Sequence, residues 1–205
     1  MSENQDIKVK SKWSLEMYLR KVFKNVIDPI ARGLLRIGIT PNAITAIGFL
    51  LSTVAAVFVS QGQFTIAGLI LLVAAPLDVV DGSMARMIGT PSAYGSLIDS
   101  VTDRYSELVV FGGMMFYFIN TQNTLAGMLV YVAAAGSVLV SYVKARAEGL
   151  NLNAKVGLLT RVERLIILIT CLIFNIPMVA LWIIAILANF TAIQRLLFVR
   201  KQIVG

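Results

Sequence analysis

Apolar residues dominate six stretches of this chain, and short polar turns separate them. The stretches run from about residue 42 to 60, 64 to 86, 95 to 119, 125 to 147, 157 to 175 and 177 to 197. A bilayer's hydrocarbon core, about 30 Å thick, takes roughly twenty residues of helix. Each stretch therefore predicts a spanning helix. Thr40-Pro41-Asn42 opens the first, because proline suits the first helical turn. Pro76 lies inside the second and predicts a kink. Upstream, from Trp13 to about Leu35, the pattern changes. Leu15, Leu19, Val22, Phe23, Val26, Ile27 and Ile30 recur at helical spacing, with Arg20, Lys21, Lys24 and Arg32 between them. That segment is too charged to span. It predicts an amphipathic helix lying on a membrane surface and bent at Pro29. The expected fold class is an all-α integral membrane protein, with six transmembrane helices preceded by an N-terminal amphipathic interfacial helix. Its expected divisions are a disordered tail over 1–11, a juxtamembrane amphipathic helix over 12–37 and a six-helix domain over 38–205.

Composition agrees with that reading. The chain of 205 residues is 58% hydrophobic, too apolar for a soluble domain of its size. Its net charge of +7 raises nucleic acid as a partner. The basic residues, however, crowd the N-terminus and the ends of the apolar stretches, which fits an anionic lipid bilayer and no nucleic acid. The turns near 61, 121 and 176 carry no charge, and every lysine and arginine falls elsewhere. The positive-inside rule then places both termini on the cytoplasmic side of the cell (plasma) membrane. With no histidine, imidazole is excluded as base, phosphoryl carrier or metal ligand. The one cysteine, Cys171, sits in an apolar run and allows neither an intrachain disulfide nor a cysteine zinc site. The N-terminus is polar and basic, and predicts no signal peptide. Gly112-Gly113 and Ala133-Ala134-Ala135-Gly136 permit close helix packing and predict a homodimer.

The candidate chemistry lies between Asp78 and Asp103. Asp78 and Asp81 are three residues apart, and Asp99 and Asp103 four apart, so each pair shares a helical face. A loop over 87–94 lets the two helices run antiparallel and point both pairs at one spot. Carboxylates in membrane-spanning segments are costly unless paired, metal-bound or chemically used. Four acceptor-only groups at one spot repel unless a cation joins them, and all-oxygen ligation favours Mg²⁺, Mn²⁺ or Ca²⁺ over zinc. The site then opens toward the cytoplasm below headgroup level, where a lipid and a soluble substrate can meet. Without histidine, a carboxylate is the natural general base. Gly82, lacking a Cβ, would let a phosphate approach the backbone, and Arg86 one turn on would meet it with a forked contact. The bland alternative is a set of buried ion pairs. Glu107 continues the face of Asp103 and is expected to pair with Arg104. Arg164 lies about 10 Å into the fifth stretch, and a buried guanidinium there wants an anion.

The stretch is similar to the signature of the CDP-alcohol phosphotransferases, D-x2-D-G-x2-A-R-x8-G-x3-D-x3-D. Asp78, Asp81, Gly82, Ala85, Arg86, Gly95, Asp99 and Asp103 fill its fixed positions. The resemblance implies that 38–205 is the CDP-alcohol phosphotransferase domain of a metal-dependent enzyme. Such enzymes cleave a CDP-linked donor, usually CDP-diacylglycerol, as an alcohol attacks the β-phosphorus and CMP leaves. It implies two ions, Mg²⁺ with Mn²⁺ as the alternative, held by Asp78, Asp81, Asp99 and Asp103, with Asp103 also taking the alcohol's proton. Gly82, Ala85, Arg86 and Ser92 would bind the CDP donor, as would Pro41, Asn42 and Thr45. The second half resembles the phosphatidylinositol-phosphate synthases, through S-Y-x-K-A-R-A-E from Ser141 and E-R at Glu163-Arg164. It implies inositol 1-phosphate as acceptor, held by Ser141, Lys144 and Arg164, with Arg195 a further contact. Glycerol 3-phosphate or another polyol phosphate is the alternative acceptor. A cation transporter and a non-catalytic membrane anchor are the non-enzyme readings.

Overall fold

The computed structural model describes residues 15–89 and 93–204, with side chains from Val26 onward in the first helix. All regular structure in these residues is helical, in seven helices. They are α1 (Leu15–Arg36), α2 (Pro41–Ser60), α3 (Phe64–Ile88), α4 (Ala93–Asn120), α5 (Thr124–Glu148), α6 (Arg161–Ile173) and α7 (Pro177–Val204). The expected tail over 1–11 lies outside the described residues.

Local chemistry sets the helix ends. Thr40 caps α2 by accepting from Ala43 N at 3.3 Å, with Pro41 in the first turn. Gly89 ends α3 in the left-handed conformation, at φ 82°. Asn123 caps α5 by accepting from Ala126 N at 3.1 Å. At the head of α6, Glu163 reaches back to accept from Thr160 N at 2.9 Å. α1 and α3 each run through their proline as one helix.

α2 packs against both α3 and α4, α5 against α7, and α6 against α3 and α7, whereas α6 hardly meets α4. Close crossings depend on missing side chains. A Cβ on Gly113 of α4 would run into the Ala56 carbonyl of α2, and one on Gly68 of α3 would lie 2.7 Å from Ile173 N. The main core joins α2 to α7 through residues such as Phe111, Met114, Leu172 and Leu181. A second cluster, with Ile27, Ala31, Ile44, Val80 and Met84, seats α1 on α2 and α3. Large apolar side chains also point outward, among them Leu50, Val73, Phe116 and Ile186. Facing water they would be a liability, and facing lipid they are what a spanning helix presents.

Among the described residues four helices, α2, α3, α5 and α7, are long and apolar enough to cross a membrane. The sequence predicted six. α4 is long enough but carries Asp99, Asp103, Arg104 and Glu107 in its first fifteen residues. α6 departs further, because the fifth stretch was expected to be helical from 157, and the helix begins at Arg161. Its 13 residues rise about 20 Å. Arg164 consequently lies in the first turn of α6, about 5 Å in rather than 10 Å.

The stretch before α6, residues 152–160, stays outside helix because its backbone groups are taken by one face of α7. Thr191 Oγ1 accepts from Leu159 N at 3.1 Å, and Arg195 Nε donates to Val156 O at 2.8 Å. Gln202 accepts from Asn153 N at 3.0 Å. Gly157, at φ 135°, fits so closely that a Cβ would run into Thr191 Cγ2.

Candidate active site

The motif acids occupy the second half of α3 and the first half of α4, and the helices bring three of the four together. One carboxylate oxygen from each of Asp78, Asp99 and Asp103 lies within 4.8 Å of the others. Asp81, which was expected in the same group, lines the same cavity but is held apart from that triplet. It is 4% exposed and accepts from Thr45 Oγ1 at 2.6 Å. Thr45, read from the sequence as a donor contact, thus fixes an acid of the motif.

Three carboxylate oxygens this close suit a hard divalent cation, since an ion with bonds of about 2.1–2.6 Å holds its ligand oxygens about 3–5 Å apart. Asp99 adds a second sign, because its Oδ1 is buried with no hydrogen-bond partner among the described residues. A buried acceptor left unsatisfied is costly and calls for a ligand. The residues present therefore fit a divalent metal.

Asp78, Asp81 and Asp103 border a cavity of about 70 Å³ between α2, α3, α4 and α6. Thr45, Asp78, Asp81, Asp103 and Arg161 line one part of it. One to three turns further along the same helices the wall becomes Phe49, Leu71, Val110 and Leu168. The cavity thus grades from charged to apolar, as a site for an amphiphile must.

Two arginines of α6 reach toward α4, and the sequence foresaw neither arrangement. Arg161 Nη1 donates to Asp78 Oδ2 at 2.9 Å, and its Nη2 lies 2.6 Å from Asp103 Oδ1. Arg164 grips Glu107 with a two-pronged contact, Nε to Oε1 at 2.8 Å and Nη2 to Oε2 at 2.9 Å. The expected Arg104–Glu107 pair does not form. Arg104 donates instead to Ser100 O and comes within 3.9 Å of Asp103. The expectation failed because it weighed only neighbours along one helix, and a guanidinium from α6 is better aimed. The expected anion for Arg164, a substrate phosphate, is likewise answered inside the protein by Glu107. Arg164 is 1% exposed, and its Nη1 is buried without a partner among the described residues. The bland reading, buried ion pairs, is thus present alongside the triplet, through arginines 58 and 57 positions from Asp103 and Glu107.

The remaining predicted residues are spread more widely. Asn42 and Arg86 are exposed at the ends of α2 and α3, and Arg86 has no partner among the described residues. Pro41 and Ala85 are half-buried nearby in sequence. The face of Gly82 is open, for a Cβ there would meet only Arg86 Nη1, at 3.5 Å. Ser92 lies outside the described residues. On the acceptor side, Ser141 is half-buried, and Lys144 faces Glu148 at 3.9 Å. Arg195 spends two donors on backbone, Nε on Val156 O and Nη1 on Val140 O, beside Ser141.

Comparison with known proteins then decides the family. Residues 38–194 match the family model described as CDP-alcohol phosphatidyltransferase. The chain belongs to the CDP-alcohol phosphatidyltransferase family. It is 34% identical to a phosphatidylinositol phosphate synthase of Streptomyces avermitilis, across 92% of this chain and 83% of that protein. It is 35% identical to an archaetidylinositol phosphate synthase of Pyrococcus horikoshii, across 90% of this chain and 96% of that protein. Among solved structures it is similar to Mycobacterium tuberculosis phosphatidylinositol phosphate synthase crystallised with CDP-DAG. The TM-score is 0.79 at 30% identity, covering 85% of this chain and 94% of that one. The same enzyme in complex with manganese and citrate gives a TM-score of 0.80 at 30% identity, covering 85% and 88%. As a member of this family, the chain is a membrane-embedded phosphatidyltransferase of phospholipid synthesis.

Proposed function

We propose that this phosphatidyltransferase moves a phosphatidyl group from CDP-diacylglycerol to inositol 1-phosphate and releases CMP. The observation that carries the acceptor is a shared term. The bacterial and archaeal relatives are named for different lipids, phosphatidyl and archaetidyl, but both for inositol phosphate, at nearly equal identity. Glycerol 3-phosphate or another polyol phosphate is the alternative.

In this reading Asp78, Asp99 and Asp103 hold the divalent metal, with Asp81 completing the set and Mg²⁺, as two ions, the expected species. The metal supplies positive charge for the donor's diphosphate and for the oxygens that gain charge as the bond breaks. The chain's own residues do the rest. Asp103 accepts the proton from the attacking hydroxyl, whose oxygen bonds the donor's β-phosphorus as the bond to CMP breaks. Thr45 keeps Asp81 turned into the cavity. Pro41, Asn42, Gly82, Ala85, Arg86 and Ser92 form the donor's nucleotide side. Ser141, Lys144, Arg195 and the spare Nη1 of Arg164 meet the acceptor phosphate. The apolar part of the cavity, at Phe49, Leu71 and Val110, keeps water from competing with the alcohol.

The fuller architecture belongs to the same proposal. α2 to α7 cross the membrane, α1 lies along its surface, and the protein is a homodimer with both termini and the active site cytoplasmic. The test is purified protein with CDP-diacylglycerol and Mg²⁺ against a panel of alcohols, reading CMP and the lipid product. Inositol 1-phosphate is expected to be the best acceptor, with EDTA abolishing turnover. Free inositol serving equally well would refute the acceptor assignment.

A further inference from the structure

Arg161 belongs to no part of the family signature that the chain matches, yet it makes the shortest ion pair at the acids, 2.6 Å to Asp103. Its surroundings differ from those of Arg164, one turn along the same helix. Arg164 is 1% exposed and locked to a single carboxylate by two parallel contacts. The Arg161 side chain is 34% exposed and makes one contact to each of two carboxylates on different helices. It stands at the first position of α6, past a loop fastened to α7, and reaches over a cavity to helices α3 and α4. It is the one cationic side chain among the residues that line that cavity, together with Asp78, Asp81, Asp103 and Glu107. Glu107 is already answered by Arg164, so the charge of Arg161 is spent on two of the three triplet acids.

We propose that Arg161 is an exchangeable counter-ion of the metal site. It competes with the divalent cation for Asp78 and Asp103, and on release it turns its fork to a substrate phosphate in the same cavity. This rests on the assignment of Asp78, Asp99 and Asp103 as metal ligands. A guanidinium and a dication drawing on the same oxygens oppose each other by charge, and that opposition is reciprocal by linkage. Pairing Asp78 of α3 with Asp103 of α4 without metal offsets like charge that would splay the two helices. A guanidinium freed among metal-neutralised acids meets phosphate in the planar, two-pronged way that suits it. The phosphate is either that of the CDP donor or that of the acceptor, since both bring the same chemistry to the cavity.

The experiment measures Mn²⁺ binding to the detergent-purified full chain without substrate, from the free-ion electron paramagnetic resonance signal. Wild type, Arg161→Gln, Arg161→Lys and Asp78→Asn are compared. Arg161→Gln is expected to bind Mn²⁺ about tenfold or more tightly than wild type, from the loss of a charge-assisted contact to the ligands. At saturating Mn²⁺ its turnover is expected to fall by about tenfold or more, with the KM rising for one substrate. A rise for CDP-diacylglycerol assigns the donor phosphate, and a rise for inositol 1-phosphate the acceptor's. Arg161→Lys keeps the charge without the fork and is expected to bind Mn²⁺ with intermediate affinity. It serves as the test should the glutamine variant not fold. Unchanged or weakened Mn²⁺ binding in the folded variants overturns the competition, and an unchanged KM for both substrates overturns the phosphate role. If wild type binds Mn²⁺ and Asp78→Asn weakens it while Arg161→Gln does not tighten it, the metal site stands and this inference alone falls. If neither wild type nor Arg161→Gln binds any, both fall.

Discussion

At the residue scale the site is a problem of charge balance, and the chain solves it in two ways. Asp78, Asp99 and Asp103 form an oxygen cluster suited to a cation, while Glu107 and Arg164 neutralise each other without one. The second pair yields a prediction. Glu107 and Arg164 are 17% and 1% exposed at the side chain, so removing one partner strands a buried charge. Glu107→Ala is expected to lower stability by about 3–5 kcal/mol, whereas replacing both members with apolar residues costs little. The double variant Glu107→Leu/Arg164→Met is therefore expected to melt near wild type while losing activity. Thermal unfolding of detergent-purified protein checks this, and a Glu107→Ala variant that melts as wild type does would remove the pair's structural role. The four aspartates were legible in the sequence because spacing of three and four on a helix is a local rule. Arg161 and Arg164 were not, because their partners lie more than 50 positions away. Nothing local tells which cation a folded chain delivers to an acid.

At the element scale, apolar run length gave the helices wherever a run matched one, as in α2, α3 and α5. It failed at α6. Val156, Leu158 and Leu159 continue the apolar pattern, yet they stay outside helix. What decides their conformation is the face of α7 that carries Thr191, Arg195 and Gln202, which supplies the backbone partners a helix would otherwise provide. A tertiary partner of that kind leaves no periodic trace in the segment it restrains. Gly157 is the one visible sign, since its φ of 135° is open mainly to glycine. Gly157→Ala pairs an unfavourable backbone with a collision at Thr191. It is expected to cost about 1–3 kcal/mol and to lower turnover more than a surface change of equal stability cost, because this segment sets the start of α6 and so the reach of Arg161. Unfolding temperature and CMP release measured side by side check it. A variant with wild-type values for both would mean that the segment does not fix the helix.

At the scale of the whole molecule, the charge map and the short α6 pull in different directions. The turns at Gln61–Gln63, Thr121–Asn123 and Phe174–Ile176 carry no charge, while Arg86, Arg146 and Lys155 mark the opposite ends. The positive-inside rule predicts that these lie on two different sides of the membrane. That assignment needs α6 to carry the chain across, and its 13 residues rise only about 20 Å of a core about 30 Å thick. The non-helical stretch 152–160 can make up the distance because α7 holds backbone groups of Asn153, Val156 and Leu159, and irregular backbone at membrane depth is tolerated where protein buries it. Single cysteines read this directly. Cys171 is the one native cysteine and is buried, so Cys171→Ala gives a clean background. Gln61→Cys, Gln122→Cys and Asn175→Cys are expected to react with a membrane-impermeant maleimide in intact cells. Arg146→Cys and Lys155→Cys are expected to react only after lysis. All five native positions are exposed, so failure to label cannot be blamed on burial in the protein. Labelling of Asn175→Cys and Lys155→Cys from the same side would mean that α6 dips into the membrane and returns, and would leave the chain five crossings instead of six.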